Sequence, residues 1–373
     1  MAFGATWLVG GLATVGVAAL AAQLTDTSRG MTAIVASWLG VAYLARAIGD
    51  TGDGAVEVLT WLSPLGWAEK VAPFGANRIA LVVPAALVLA VGCAAGFALL
   101  ERRDLGAGIL PSRLGPAHAS AALSGPFGLA WRLQRGAMLG WTIIFAVLGV
   151  VVGSLSSSVS DMMDNPAIRD MLEALGGDEG TLMDIFLATE IGFSALGAGA
   201  YGISAVLRAH GEEQSGHSET VLATGVRRSR LLGAHVGIAT LGVVWLLVVL
   251  GVSIGWAHGR QVGDVGGAIA SLVPAALASA PAAWVCVGIA TALHGWLPRW
   301  APLAWVAYVA FFALGEFSAL LGLPDWMADA SPFTHVPQLP GGDWSWTPLV
   351  WTALVAGGLV AAGFVGHRSR DLT

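Results

Sequence analysis

Charged residues are scarce in this sequence. Asp, Glu, Lys and Arg make up only 11% of its 373 residues, whereas a soluble domain carries about a quarter. Apolar residues make up 56%, and the mean hydropathy is +0.73. This shortage of charge excludes a soluble enzyme, a disordered chain and a nucleic-acid binder, and it indicates an integral membrane protein embedded in a lipid bilayer.

Motifs for metal, disulfide and nucleotide chemistry are also missing. The only two cysteines, Cys93 and Cys286, lie far apart in apolar stretches, so neither a disulfide framework nor a clustered metal site is expected. The eight histidines are scattered without the H-E-x-x-H spacing of a zinc enzyme. No GxxxxGK[ST] phosphate loop occurs. We therefore predict no catalytic residues, no metal site and no ATP bound by this chain.

Long apolar stretches dominate what is present. A helix needs about 20 apolar residues to cross the bilayer, and continuous stretches of this length do not fit the short alternating strands of a membrane barrel. The fold class expected is an all-α polytopic membrane protein with about nine transmembrane helices. The nine stretches are 3–24, 31–48, 79–100, 138–157, 185–207, 233–256, 268–296, 301–321 and 347–366.

Basic residues fall mainly in alternate loops. One set of loops, with the C-terminal tail, holds 13 of them, and the opposite set holds only Lys70, Arg78, Arg169 and Arg260. Cytoplasmic loops carry the excess of Lys and Arg. With nine spans, this bias predicts a plasma-membrane protein with its N-terminus outside and its C-terminus in the cytoplasm.

Three short sequences recur in the same order. Residues 5–14 (ATWLVGGLAT) match 282–291 (AAWVCVGIAT), and two later matches follow. These two are Ser63-Pro64 with Ser331-Pro332, and Arg103-Asp104-Leu105 with Arg370-Asp371-Leu372. Each match has the same place relative to a span, so we infer a parallel duplication of a six-span unit, as transporters often show. The domains expected are the last three spans of a first repeat at 1–100, a cytoplasmic linker and interfacial helix at 101–137, and a complete second repeat at 138–373.

The predicted cytoplasmic loop 208–232 carries an unusual charge pattern. It begins with carboxylates at Glu212, Glu213 and Glu219 and ends with guanidinium groups at Arg227, Arg228 and Arg230. A single helix over this loop would have charges that suit its dipole. An ordinary solvated loop is the alternative.

A family resemblance favours the helix. The pattern EE-x-x-G-x-x-E-x-x-L-A-T, followed by arginines, is similar to the coupling-helix region of type 2 ABC exporter permeases. ERRDLGAGILPSR (101–113), GPFGLAWRLQRG (125–136) and SPLGWAEKVAPF (63–74) resemble segments of the actinobacterial "exporter of polyketide antibiotics" permeases. Members of that family look like twelve-span proteins, so this chain is expected to lack the first three spans. We favour a truncated start, and the alternatives are a cut protein and a shorter form that functions differently.

The resemblance implies a permease driven by separate ABC ATPase subunits, two copies or a dimer, which hold the ATP and Mg²⁺. The chain itself would bind no cofactor, and its cargo would be a hydrophobic small molecule such as an antibiotic, drug or lipid. The residues expected at the ATPase contact are Glu212, Glu213, Gly216, Glu219, Leu222, Thr224, Arg227, Arg228 and Arg230.

Two further groups of residues are candidates for function. Trp131, Arg132 and Arg135 suit an interfacial helix at headgroup level that leads into the fourth span. Arg46, Glu190 and Glu316 are charges inside predicted spans, where ionisable groups are functional candidates. Arg46 and Glu316 lie in equivalent spans of the two copies, so they are candidates for a gate or a structural ion pair, and snorkelling to the interface is the alternative.

Two other functions compete with the ATP-driven exporter. A proton- or ion-coupled secondary transporter would need several carboxylates near the bilayer midplane, and Glu190 and Glu316 are the only two, both off-centre. A membrane-embedded lipid-modifying enzyme would need an acidic or histidine cluster at one membrane face. The acidic loop 158–184 is the only such segment, and its spacing fits no metal pattern.

Overall fold

The fold is all-α in the described part of the chain. The computed structural model describes residues 1–50, 57–104, 108–110, 118, 123, 125–163, 179–318, 322 and 324–370, and no strand occurs among them. The chain divides into two compact units, Met1–His118 and Ala119–Thr373, called here unit 1 and unit 2. This confirms the predicted all-helical class.

The helices are numbered in chain order. Unit 1 contains α1 (Ala2–Leu24), α2 (Ser28–Asp50), α3 (Val58–Leu62), α4 (Pro64–Lys70) and α5 (Val82–Leu100), with a 3₁₀ turn at Ile79–Leu81. Unit 2 contains α6 (Pro126–Met163), α7 (Glu179–Gln214), α8 (His217–Leu222), α9 (Arg228–Val262), α10 (Val265–Leu277), α11 (Ala280–Trp296), α12 (Ala304–Phe317), α13 (Asp325–Ala328) and α14 (Trp346–Ser369), with 3₁₀ turns at Pro298–Leu303 and Pro332–His335.

Eight helical segments of the described residues are long and apolar enough to cross a membrane, rather than the nine predicted. The predicted span 301–321 contains α12, which has only 14 residues and is therefore about 21 Å long, short of a hydrocarbon core about 30 Å thick. Residues 319–321 lie outside the described part. The predicted placement of the termini on opposite sides depended on this ninth span and stays a prediction.

Unit 1 is built on the packing of α1 against α5. Its small residues allow close approach: a Cβ added to Gly16 would lie 2.8 Å from the Cα of Leu89. Helices in membranes associate through such small-residue contacts. The short α4 is fixed by Ser63, whose buried Oγ donates a hydrogen bond to the backbone carbonyl of Ala42 at 2.6 Å.

Unit 2 is built around α9 and α11. Leu246, Leu250 and Ile254 of α9 are fully buried, as is Val287 of α11. Helices α6, α7 and α10 pack against α9, and α7 and α14 pack against α11. Any displacement of α7 or α9 therefore acts directly on the core of this unit.

The two units share an order of elements that the predicted duplication requires. In unit 1, α1 is followed by α2, by the short Ser63-Pro64 helix and by α5, which packs back on α1. In unit 2, α11 is followed by α12, by a short helix that begins at Ser331-Pro332 and by α14, which packs back on α11. The duplication itself stays a prediction, and three residues of its third match, Leu105, Asp371 and Leu372, lie outside the described part.

The expected interfacial helix is not a separate element. Helix α6 runs without a break from Pro126 to Met163, so the stretch 127–136 and the span after it form one helix of 38 residues. Trp131, Arg132 and Arg135 are exposed on its first turns, while Gln134 on the opposite face is buried. The helix continues because the sequence between 127 and 157 contains no proline, the residue that most strongly breaks a helix.

Candidate functional site

Arginines collect at one end of unit 2. Helices α7, α11 and α14 finish there, and α6 and α9 begin there. Apart from Arg260, at the far end of α9, every described arginine of the unit lies at this end, which is called here the basic end. These residues are Arg132, Arg135, Arg208, Arg227, Arg228, Arg230, Arg299, Arg368 and Arg370.

The connection from α7 to α9 differs from the single helix expected over 208–232. Gly216 (φ 73°) and Gly225 (φ 83°) adopt left-handed conformations, which favour glycine and interrupt a right-handed helix. Between them lies the short helix α8, and among the predicted carboxylates it carries only Glu219. Thr224 tightens its end, since its Oγ1 donates to the carbonyl of Val221 at 2.6 Å.

The charge-to-dipole match predicted for this loop is therefore wrong. Glu212 and Glu213 lie in the last turn of α7, and Arg228 and Arg230 lie in the first turn of α9. Both placements oppose the helix dipole. Local ion pairs compensate for this at α7, where the Arg208 guanidinium contacts Glu212 Oε1 at 3.0 Å, one helical turn away.

The predicted contact residues divide into two sets. Glu212 and Glu213 point inward, with side chains only 20% exposed, and Leu222 lines a cavity behind α8. Arg228 is exposed but also lines this cavity. The residues exposed on the outer face of the connection are Glu219, Thr224, Arg227 and Arg230. The second set is called here the outer face.

The cavity behind α8 has a volume of about 430 Å³. Its walls are mainly apolar, with Leu129 and Leu133 from α6, Val221 from α8 and Leu231 from α9. Polar groups lie along the rest of the wall, and these are Arg208, Glu212, Glu213, His217, Ser218, Thr220, Arg228, His235, His294 and His367. Helix α8 thus covers a largely hydrophobic space at the basic end.

Glu213 is the centre of a network that joins four helices, α7, α9, α11 and α14, with Arg370, the residue after α14. Arg370 Nη2 donates to Glu213 Oε2 at 2.6 Å and to His367 Nδ1 at 3.2 Å. His294 Nε2 of α11 lies 3.4 Å from the same carboxylate oxygen. Arg228 of α9 donates to the backbone carbonyl of Arg370 at 3.1 Å. The end of α7 is thereby tied to α9, α11 and α14.

The histidines were missed by sequence reasoning. His210 (α7), His294 (α11) and His367 (α14) lie side by side, with ring centroids 5.8 Å and 5.4 Å apart along the row. His235 (α9) lines the same cavity and bonds to buried Gln134 at 3.0 Å. The signal available was their common position at one end of four apolar stretches, although they are widely separated along the chain.

None of the candidate intramembrane charges is a member of the ion-pair network around Glu213. Arg46 forms ion pairs with Asp50 at 3.1 Å and Glu69 at 2.6 Å, all within unit 1. Glu190 is half-buried on α7. Glu316 belongs to α12, but its side chain lies outside the described part, so its pairing with Arg46 stays a prediction.

Eight candidate spans among the described residues, with a polar connection at the basic end of unit 2, define a polytopic helical membrane protein. Residues 123–368 match the model of the family "Multidrug efflux system permease Rv1217c, C-terminal domain". Over all 373 residues the chain is 37% identical to the multidrug efflux system permease protein Rv1217c of Mycobacterium tuberculosis, and it covers 67% of that protein. The chain therefore belongs to this family of multidrug efflux permeases, while the resemblance to polyketide-antibiotic exporters stays a prediction.

Proposed function

We propose that this chain is the membrane subunit of an ATP-driven exporter of hydrophobic compounds, such as antibiotics, drugs or lipids. Separate ATPase chains, which hold ATP and Mg²⁺, bind the outer face of the α7–α9 connection. The observation that carries this proposal is α8 itself. It is a short helix between two left-handed glycines, with its exposed residues turned away from the protein.

The packing of α7 and α9 supports a coupling role for α8. Both helices are continuous for about 35 residues, and both pack against the buried α11. A push on α8 would therefore act on two long helices at once. ATP binding on a partner could in this way shift the equilibrium between inward-open and outward-open arrangements of the spans.

The sidedness of the basic end agrees with this role. The arginines of unit 2 are concentrated there, and cytoplasmic segments carry the excess of Lys and Arg. We infer that the basic end faces the cytoplasm, where ATPase chains and ATP are found.

A groove on the surface of α6 and α9 fits hydrophobic cargo. It has a volume of about 320 Å³ and is lined by Phe127, Trp131, Met138, Ile238 and other apolar residues. Trp245 also lines it and is held by a hydrogen bond from its indole N–H to Thr142 Oγ1 at 3.0 Å. Aromatic residues with a fixed orientation offer a large apolar contact area for a flat molecule.

Charge reversal on the outer face tests the docking proposal. The chain is purified from its native membrane in mild detergent as wild type and as the double variant Arg227→Glu, Arg230→Glu, and bound proteins are identified by mass spectrometry. We expect the wild type to recover a chain with a GxxxxGK[ST] phosphate loop. In this proposal the two arginines face carboxylates of the ATPase. The variant should lose most of the ATPase, because the introduced glutamates would repel those carboxylates.

Arg260→Glu is the matched control, because Arg260 is an exposed arginine at the opposite end of the same helix. It should retain the ATPase chain. If the double variant recovers as much ATPase as the wild type, the outer face is not the docking surface. Wild-type chain that brings down no ATPase at all would favour the secondary transporter instead.

A further inference from the structure

We propose that Glu213, His294 and His367 form a binding site for a divalent transition-metal ion of the zinc type at the basic end of unit 2. The three side chains come from α7, α11 and α14, and one donor atom from each lies within 4.8 Å of the others. Metal sites in helix bundles are built in this way, from side chains that converge from facing helices.

The separation of the donor atoms fits a metal better than a direct hydrogen bond. His294 Nε2 and Glu213 Oε2 are 3.4 Å apart, which is beyond the usual N–H···O range of about 2.7–3.2 Å. Two ligand atoms that each lie about 2.0–2.1 Å from a tetrahedral zinc ion are about 3.4 Å apart. These two groups therefore already stand at the distance that a shared zinc ion would impose.

His367 already presents a lone pair to a cation. A guanidinium group has only donors, so the 3.2 Å contact of Arg370 Nη2 requires His367 Nδ1 to be the acceptor. The same Arg370 nitrogen is 2.6 Å from Glu213 Oε2. A positive group thus bridges two of the three proposed ligands, and a metal ion at that position would replace it.

His294 is the least satisfied member of the cluster. Its side chain is 1% exposed, and its Nδ1 has no hydrogen-bond partner within the described residues. A buried polar atom without a partner is destabilising, so packing alone explains this ring poorly. All three proposed ligands also line the cavity behind α8, which offers room for a water molecule as a fourth ligand.

The donor set selects the class of metal. Two imidazoles and one carboxylate suit zinc, nickel, cobalt or copper, whereas calcium and magnesium prefer oxygen ligands. Binding requires Arg370 to leave Glu213. Arg370 follows the last residue of α14, so its side chain can move without disturbing a helix.

Direct metal titration tests the site. The full chain, purified in detergent with a tag that contains no histidine, is titrated with Zn²⁺ against a fluorescent chelator, and Co²⁺ is added separately for its absorption spectrum. We expect one Zn²⁺ per chain and the intense visible bands of tetrahedral Co²⁺. Glu213→Gln, His294→Gln and His367→Gln should each weaken Zn²⁺ binding by about tenfold or more. Arg370→Ala should strengthen it, because the competing cation is gone.

His217→Gln is the matched control, since His217 also lines the cavity and lies near Glu212 but is outside the cluster. It should bind Zn²⁺ like the wild type. Circular dichroism and size-exclusion profiles distinguish lost ligands from lost folding. The proposal fails if the wild type binds no more Zn²⁺ than a folded His294→Gln, His367→Gln double variant, or if His217→Gln lowers the affinity as much as His294→Gln does.

Discussion

Replacing Gly363 with leucine is expected to prevent unit 2 from reaching a stable fold. Gly363 lies where α14 packs against α11, and a Cβ added there would meet the backbone oxygen of Thr291, with the carbonyl carbon of Thr291 only 2.6 Å away. A Cβ added to Gly295 on α11 would likewise clash with the backbone of Gly363. Neither backbone can move aside as a flexible side chain would. We therefore expect a loss of about 3 kcal/mol or more, at the upper end for overpacking.

Gly358→Leu provides the control on the same helix. A Cβ at Gly358 has nothing within 4 Å among the described residues, so this leucine should be tolerated at an exposed surface that suits lipid. Fluorescence-detected size exclusion and thermal unfolding in detergent measure both variants. Gly363→Leu should give little monodisperse protein, and Gly358→Leu should resemble the wild type. Equal behaviour of the two variants would contradict the packing described for α11 and α14.

Replacing the six residues of α8 with a flexible Gly/Ser sequence of equal length is expected to abolish export and leave the membrane fold intact. The core of unit 2 lies on α9 and α11, and none of the residues of α8 is buried. A flexible segment could not transmit a push from an ATPase into α7 and α9. Transport should fall to the level of cells that lack the chain, and the chain should still reach the membrane in normal amount.

The same replacement of α13 (Asp325–Ala328) is the control for α8. Helix α13 is also short, and it lies at the opposite end of unit 2, near the 3₁₀ turn Pro332–His335. We expect this variant to keep most of the transport activity. A chain with the flexible α8 that still exports its cargo would show that α8 transmits nothing.

The spans could be predicted because they depend on length and hydropathy alone. The stretches predicted at 3–24 and 79–100 agree with helices at Ala2–Leu24 and Ile79–Leu100. Helix ends in polar sequence could not be predicted in this way. The stretch 185–207 stops where hydropathy falls, yet α7 continues to Gln214, because Arg208 and Glu212 form a pair one turn apart on its surface.

The candidate site was only partly predictable. The charged connection 208–232 is visible in the sequence. Its two left-handed glycines, Gly216 and Gly225, divide it among three helices, and this division was not predicted. The ATPase contact of Glu213 stays a prediction, but its inward contacts with Arg370 and His294 were not visible in the sequence. Such contacts join residues 81 to 157 positions apart, and no local pattern in one sequence reveals them.

The most direct test of the central claim is transport into inside-out membrane vesicles that contain this chain and its captured ATPase. A fluorescent hydrophobic drug is added with ATP, with a non-hydrolysable ATP analogue, and with ATP plus a protonophore. If the chain is an ATP-driven permease, the drug accumulates with ATP, fails to accumulate with the analogue, and still accumulates when the proton gradient has been removed. Accumulation that needs no ATP and disappears with the protonophore would contradict this account and identify a proton-coupled transporter.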